Sequence, residues 1–190
     1  MRIWLIRHPA PAVAPGTCYG RLDLGLAESA SIAGTRLSAE LPPLGIVVSS
    51  PLSRCRQLAE CLHPAAEFDE RLVEMHFGEW EGRTWDAIGR AALDSWAADP
   101  LGHRPPGGES AREMAARVVS FAAEFSSRIK VFRGQPANRA RPCEVAIVAH
   151  QGPLRVLAAH WQNESESESE STWQHRRFEF GQATPVTIDP

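Results

Sequence analysis

At 190 residues, with 43% hydrophobic and 23% charged residues, the chain is long enough to fold as one domain spanning 1–190 around a sizeable core. Its net charge of −3 excludes the basic footprint of a nucleic-acid binder and any attraction to an anionic membrane, so an anion site must be built from a few local arginines. There is no bilayer-length apolar run, no secretory signal pattern and no CxxC pair among Cys18, Cys55, Cys61 and Cys143, so a cytoplasmic chain with free thiols and no metal is expected.

Ile3-Trp4-Leu5-Ile6 is a short apolar run suited to a buried strand, and it ends abruptly in Arg7, His8 and Pro9. In open α/β sheets ligands sit beyond the carboxyl ends of the strands, which is where Arg7 and His8 emerge. Residues 9 to 25 are rich in Pro and Gly and read as a long functional loop. Within it, Cys18-Tyr19-Gly20-Arg21-Leu22-Asp23 holds the chain's only tyrosine, a candidate substrate wall. A helix is expected over Ala27 to Leu41, with Ile32, Leu37 and Leu41 toward one face and Pro42-Pro43 stopping it. Gly45-Ile46-Val47-Val48 reads as a second buried strand. Ser49-Ser50-Pro51 then resembles an N-cap with proline in the first turn of a helix running to about Leu62. Arg54 and Arg56 near its start oppose the helix dipole, a conflict that a nearby anion relieves.

Arg71 to Gly82 is a mixed segment punctuated by glycines, and helical spacing resumes over Thr84 to Ala98. Pro105-Pro106-Gly107-Gly108 breaks the chain, and Glu109-Ser110 are read as the cap of a long helix that also borders any pocket nearby. On that helix Met114, Val118, Phe121, Phe125 and Ile129 form one apolar stripe, which is core. Residues 133–142 read as a basic exposed loop. Val145 to Ala149 is the clearest buried strand; it delivers His150, and Gly152-Pro153 lead into a helix through Leu157. The Glu-Ser alternation from Glu164 to Ser171 reads as a flexible acidic loop at about 163–172. Phe178 and Phe180, then Val186 and Ile188, read as closing strands. Strand, loop and helix alternate throughout, so the expected class is α/β: a three-layer sandwich with a central mostly parallel sheet flanked by helices.

Two buried strands far apart in sequence thus end in Arg7-His8 and in Ala149-His150-Gln151-Gly152, and a third leads to Arg54. If these strands are neighbours, two histidines and two arginines meet at one sheet edge. A phosphate dianion suits such a cluster because guanidinium forks match phosphoryl oxygens.

Four pieces in order carry a resemblance: Arg7-His8; Ser50-Pro51-Leu52-Ser53-Arg54-Cys55-Arg56-Gln57; Glu74-Met75-His76-Phe77-Gly78-Glu79-Trp80-Glu81-Gly82; and Val148-Ala149-His150-Gln151-Gly152-Pro153-Leu154-Arg155. Together the chain resembles the histidine phosphatase superfamily, the phosphoglycerate mutase-like family. Within it, the Cys18–Asp23 and Phe77–Gly82 stretches look most like α-ribazole phosphatases of cobalamin biosynthesis. The resemblance implies His8 as phosphoryl-accepting nucleophile, Glu74 as general acid, and Arg7, Arg54 and His150 as phosphate donors, with His150 also counted catalytic. Tyr19, Arg21 and Gln151 are substrate-side candidates. Glu79 and Glu81 compete with Glu74 on spacing alone, and His63, His76, His103, His160 and His175 are taken as bystanders. Departures from the family pattern are Pro9 in place of the usual glycine, Ala10 and Pro11 in place of acidic and hydroxyl residues, and Gln151 in place of a frequent glycine.

The implied activity is a metal-independent, cofactor-free phosphomonoesterase acting on a small phosphorylated metabolite, with α-ribazole 5′-phosphate favoured. The alternatives are a broad-specificity phosphatase, a phosphoglycerate mutase-type phosphotransferase and an inactive phospho-ligand binding module. No nucleic-acid or membrane partner is expected. The state is monomer or homodimer, since Trp80, Trp85 and Trp96 fit a dimer patch and a core equally well.

Overall fold

The computed structural model describes residues 1–134, 144–162 and 176–188. The acidic Glu-Ser repeat, most of the basic 133–142 stretch, Cys143 and His175 lie outside the described residues. Five strands form one sheet: β1 (Arg2–Arg7), β2 (Leu44–Ser49), β3 (Glu67–Phe68), β4 (Glu144–Ala149) and β5 (Ala183–Thr187). Their order is β3-β2-β4-β1-β5, parallel except for β5, which pairs antiparallel with β1. Of the two closing strands expected from Phe178 to Ile188, only β5 forms. Phe178 is instead buried in the core with residues of the long helix and of the helix after His150, in the segment preceding β5.

Alternation along the central strands separates two cores, because successive side chains on a strand point to opposite faces. Ile3 and Leu5 of β1, with Val145 and Ile147 of β4, join Met114, Val118, Phe121, Phe125 and Ile129 of α5 (Ala111–Gly134) and Leu154 and Leu157 of α6 (Gln151–Trp161). Ile6, Ala146 and Val148 face the other way, onto Ala33 and Leu37 of α1 (Ala30–Glu40) and Cys55 and Leu58 of α2 (Ser53–Leu62). The sheet therefore lies between two helical layers. Among the described residues no helix is long and apolar enough to cross a membrane.

Several local expectations shift. The buried face of α1 is Ala30, Ala33, Gly34 and Leu37, while Ile32 is 58% exposed. Small residues let α1 lie close against α2, with Gly34 against Cys61, and this turns Ile32 outward. The serines before α2 are not its cap. Leu52 occupies the N-cap without a side-chain bond; the Ser50 hydroxyl reaches only Leu52 N, at 3.4 Å across the bend at Pro51, and not the first helical turn. The Thr84 to Ala98 helix is two pieces, α3 (Trp85–Ile88) and α4 (Arg90–Ala98), broken at Gly89, whose φ of 97° is left-handed and open to glycine. Trp80, Trp85 and Trp96 pack on one another and on Phe77 within the chain, with Trp85 and Trp96 stacked at 5.7 Å.

Chain direction locates the crevice. From β1 the chain runs to α1 on one face, whereas the adjacent β4 runs to α6 on the other. The carboxyl ends of β1 and β4 thus form a topological switch point, where open α/β sheets bind ligands.

Candidate active site

His8 and His150 are the residues that follow β1 and β4, and the register pairs Arg7 with Ala149. The two rings consequently meet, with centroids 5.0 Å apart and planes tilted by 60°. Both are buried. The Nδ1 of His8 lies 2.7 Å from the Pro9 carbonyl, which only accepts, so Nδ1 carries the proton and Nε2 keeps its lone pair. Pro9, which has no N–H to offer, thus contributes through its carbonyl instead. Burial, then the Arg54 charge, lower the His8 pKa to about 3 despite the opposing pull of the Pro9 bond, with Arg7 adding further in the same sense. His150 is also held well below the usual histidine range by burial first, then by His8, Arg54 and Arg7. Its Nε2 is 2.8 Å from the Ser50 hydroxyl and 3.4 Å from Cys55 Sγ.

An unfolded histidine takes up a proton near 6.5, whereas the folded His8 does so only near 3. Between those values the unfolded state binds the additional proton, so its contribution to stability is complete above 6.5 and is lost as pH falls toward 3. Urea unfolding followed from pH 7 downward is expected to show that decline. A His8→Asn variant should show a shallower one.

Arg7 and Arg54 both lie close enough to His8 to act on its charge. Arg54 is fully buried at the start of α2, donating from Nη1 to Leu22 O at 2.6 Å and from Nη2 to Gly20 O at 2.7 Å. Arg7 donates from Nη1 to Phe178 O and to Gln151 Oε1, and its guanidinium lies 3.6 Å over the Phe180 ring. The Nε–H of each arginine is buried with no acceptor, and neither pairs with a carboxylate among the described residues. One buried and one partly buried positive charge, each with an unused donor, beside a neutral imidazole suit a multivalent oxyanion. Tyr19 belongs to this wall: the Arg54 guanidinium is 5.4 Å from its ring, and burial raises its hydroxyl pKa.

Glu74 stands opposite. Its Oε1 accepts from Met75 N at 2.9 Å and its Oε2 from Gly152 N at 3.3 Å, at the start of the helix that follows His150. A methyl group at Gly152 would strike that carboxylate and come within 2.8 Å of Met114 Sδ, so only glycine permits the approach. Of the competing glutamates, Glu79 is exposed, and Glu81 accepts from the backbone of Arg21 and Phe77, which fixes the turn.

The main chain of Glu74 is itself gripped. Arg21 Nε and Arg117 Nη2 both donate to its carbonyl, at 3.3 and 3.1 Å, and both arginines pair with Glu109, at 3.0 and 2.7 Å. Arg21, expected on the substrate wall, is therefore engaged with the loop that carries Glu74. Glu109 does not cap α5; Ser110 and Glu113 do that reciprocally. Burial pulls the Glu109 carboxyl upward, but the Arg117 and His76 hydrogen bonds and the nearby arginine charges outweigh it and hold it below the usual range. Ser50 and Glu109, read from sequence as helix caps, support the site instead, and so does Arg117, to which the sequence assigned no role. The sequence signal for this pairing is the eight-residue spacing between Glu109, just before α5, and Arg117 on it. Glu109→Gln keeps the shape but leaves Arg117 uncompensated. It is expected to lower stability by about 3 kcal/mol in urea unfolding and turnover roughly tenfold, with Glu109→Asp retaining more of both.

Gln151 links the anion site to a cavity of about 600 Å³, since it accepts from Arg7 and also lines that space. Glu74, Gly152 and Arg155 share the same rim, while Met75, Phe77, Trp96, Pro100 and Met114 form most of the remaining wall.

The chain matches the family described as histidine phosphatase superfamily (branch 1) over residues 3–179. It is 31% identical over 169 residues to glucosyl-3-phosphoglycerate phosphatase of Mycobacterium tuberculosis, covering 83% of this chain and 74% of that protein. It is 28% identical over 170 residues to adenosylcobalamin/alpha-ribazole phosphatase of Salmonella typhimurium, covering 84% and 78%. The crystal structure of the alpha-ribazole phosphatase from Shigella flexneri superposes with a TM-score of 0.80 at 25% identity, over 100% of this chain and 91% of that one.

Proposed function

The chain belongs to the histidine phosphatase superfamily, and from that premise we propose that it is a metal-independent phosphomonoesterase working through a phosphohistidine on His8, with α-ribazole 5′-phosphate as favoured substrate. One observation carries the reading: a neutral imidazole with its Nε2 lone pair free lies within the field of a fully buried Arg54 and a partly buried Arg7, whose Nε–H donors have no acceptor among the described residues.

The chemistry follows from that arrangement. The His8 Nε2 lone pair attacks phosphorus while Arg7, Arg54 and His150 hold the equatorial oxygens. The bond from phosphorus to the ester oxygen breaks, and Glu74 in its carboxyl form gives that oxygen a proton, releasing the alcohol. The phosphorylated ring becomes cationic, and the Pro9 carbonyl that holds its Nδ1–H steadies that charge. Water then attacks phosphorus, Glu74 takes its proton, the N–P bond breaks, and inorganic phosphate leaves with His8 neutral again. Guanidinium groups supply the positive charge needed here, so no metal ion is required.

The α-ribazole assignment is supported by the Cys18–Asp23 and Phe77–Gly82 stretches and by the two alpha-ribazole phosphatases it resembles. A screen of phosphorylated metabolites, glucosyl-3-phosphoglycerate included, is expected to rank α-ribazole 5′-phosphate highest by kcat/KM, with turnover unchanged by a chelator. Phosphate binding without release of alcohol from any ester would make the protein a binding module instead.

A further inference from the structure

Gln151 follows His150 directly, where the family pattern frequently has glycine, and its side chain reaches back to Arg7. Resting on the hydrolase reading above, we propose that Gln151 is a positioning residue for Arg7, turning the guanidinium edge that carries Nε–H toward the transferring phosphoryl group.

The Gln151 carboxamide is engaged at both atoms. Its Oε1 accepts from Arg7 Nη1 at 3.2 Å and from Phe178 N at 3.1 Å, and its Nε2 donates to Arg176 O at 2.8 Å. Two donors on one side and a carbonyl on the other fix which atom is the oxygen. Arg7 Nη1 also donates to Phe178 O at 2.9 Å, so both of its protons are spent on protein oxygens. In a guanidinium, Nη1 lies across from the Nε–H, which shares its edge with Nη2. Occupying Nη1 therefore leaves the Nε–Nη2 edge, a side-on fork that matches two phosphoryl oxygens. The Arg7 Nε–H on that edge is buried with no acceptor among the described residues. The other restraints on Arg7 do not set this direction. The Phe180 ring, 3.6 Å from the guanidinium, permits rotation over its face, and the Phe178 bond alone is a pivot. The second bond at Nη1, to Gln151, stops that rotation. The partner segment is itself fixed to the end of β1: Gly181, at a left-handed φ of 62°, donates to Arg7 O and His8 O at 3.0 and 3.2 Å. Arg155 Nε holds Arg176 O independently of Gln151, so the segment stays anchored when residue 151 is changed.

The test measures kcat/KM for ethyl phosphate and phenyl phosphate, with inhibition by orthovanadate and by inorganic phosphate, on the full chain and on Gln151→Met and Gln151→Gly. Vanadate adopts the five-coordinate geometry of the transition state, so it reports the aim of Arg7 more sharply than phosphate does. Both variants are expected to lose roughly tenfold in kcat/KM, equally for the two esters, the scale of a misdirected contact. Vanadate affinity should fall by about the same factor, and phosphate affinity by less. In an Arg7→Lys background no fork remains to be aimed, so the same substitutions should have no further effect. A loss that differs between the esters, or that persists in Arg7→Lys, would show that Gln151 acts other than through Arg7. Unchanged kinetics, or loss of the cooperative urea transition in both variants, would equally deny it the positioning role. Each of these results overturns the inference and leaves the hydrolase reading in place. If the unsubstituted chain cleaves neither ester and His8 takes up no phosphate from either, the hydrolase reading falls and this inference with it.

Discussion

Replacing His8 with alanine is expected to lower kcat by about 10⁴-fold or more, the scale of losing a covalent nucleophile, and to abolish the acid-labile phosphoenzyme altogether. The size follows from the absence of a substitute. His150 lies 5.0 Å away centroid to centroid, but its Nε2 faces Ser50 and Cys55. Glu74 is held by the Met75 and Gly152 amides. The arginines and His150 survive the substitution, so inorganic phosphate should still bind. Rapid quenching with ³²P-labelled substrate, followed by acid- and base-stability of the label, is the measurement. A base-labile label, or an acid-labile one that persists in His8→Ala, would place the covalent step elsewhere.

Glu74→Gln is expected to cost 10²–10⁴ in kcat, the range for one general acid–base group, and the loss should depend on the leaving group. An alkoxide needs the proton as its bond to phosphorus breaks, so alkyl esters should suffer most. 4-Nitrophenolate leaves unaided, so 4-nitrophenyl phosphate should still phosphorylate His8. Water then lacks its base, and the phosphoenzyme should accumulate as a burst of nitrophenol followed by a slow steady rate. Equal losses for alkyl and nitrophenyl esters, with no burst, would remove Glu74 from proton transfer. Glutamine can accept from only one of the Met75 and Gly152 amides and turns its NH2 toward the other, so urea unfolding of the variant is measured alongside the kinetics to separate the proton from the loop.

Much of this architecture was legible in residue order because its signals are short-range. The stripe from Met114 to Ile129 recurs at helical spacing, and all five of its residues are buried. The β-branched run ending at Ala149 specifies a strand whichever neighbours it finds. Where sequence reading went astray, several weak signals competed. Ile32 was assigned inward by hydrophobicity, yet Ala30, Ala33 and Gly34 allow closer helix packing on their side. Ser49-Ser50-Pro51 has the composition of a cap, but Ser50 instead faces an imidazole from the far end of the chain.

By itself, the sequence determined the class of the fold, the strand ends that carry Arg7, His8 and His150, and the family, since these depend on local periodicity and motif identity. Tertiary structure alone decided which donors remain unused, that Arg21 and Glu109 brace the loop of Glu74, and that an aromatic-walled cavity adjoins Glu74. The reason is that hydrogen-bond satisfaction and cavity shape belong to groups brought together from distant segments, and a donor is known to be spare only after every neighbour has been placed.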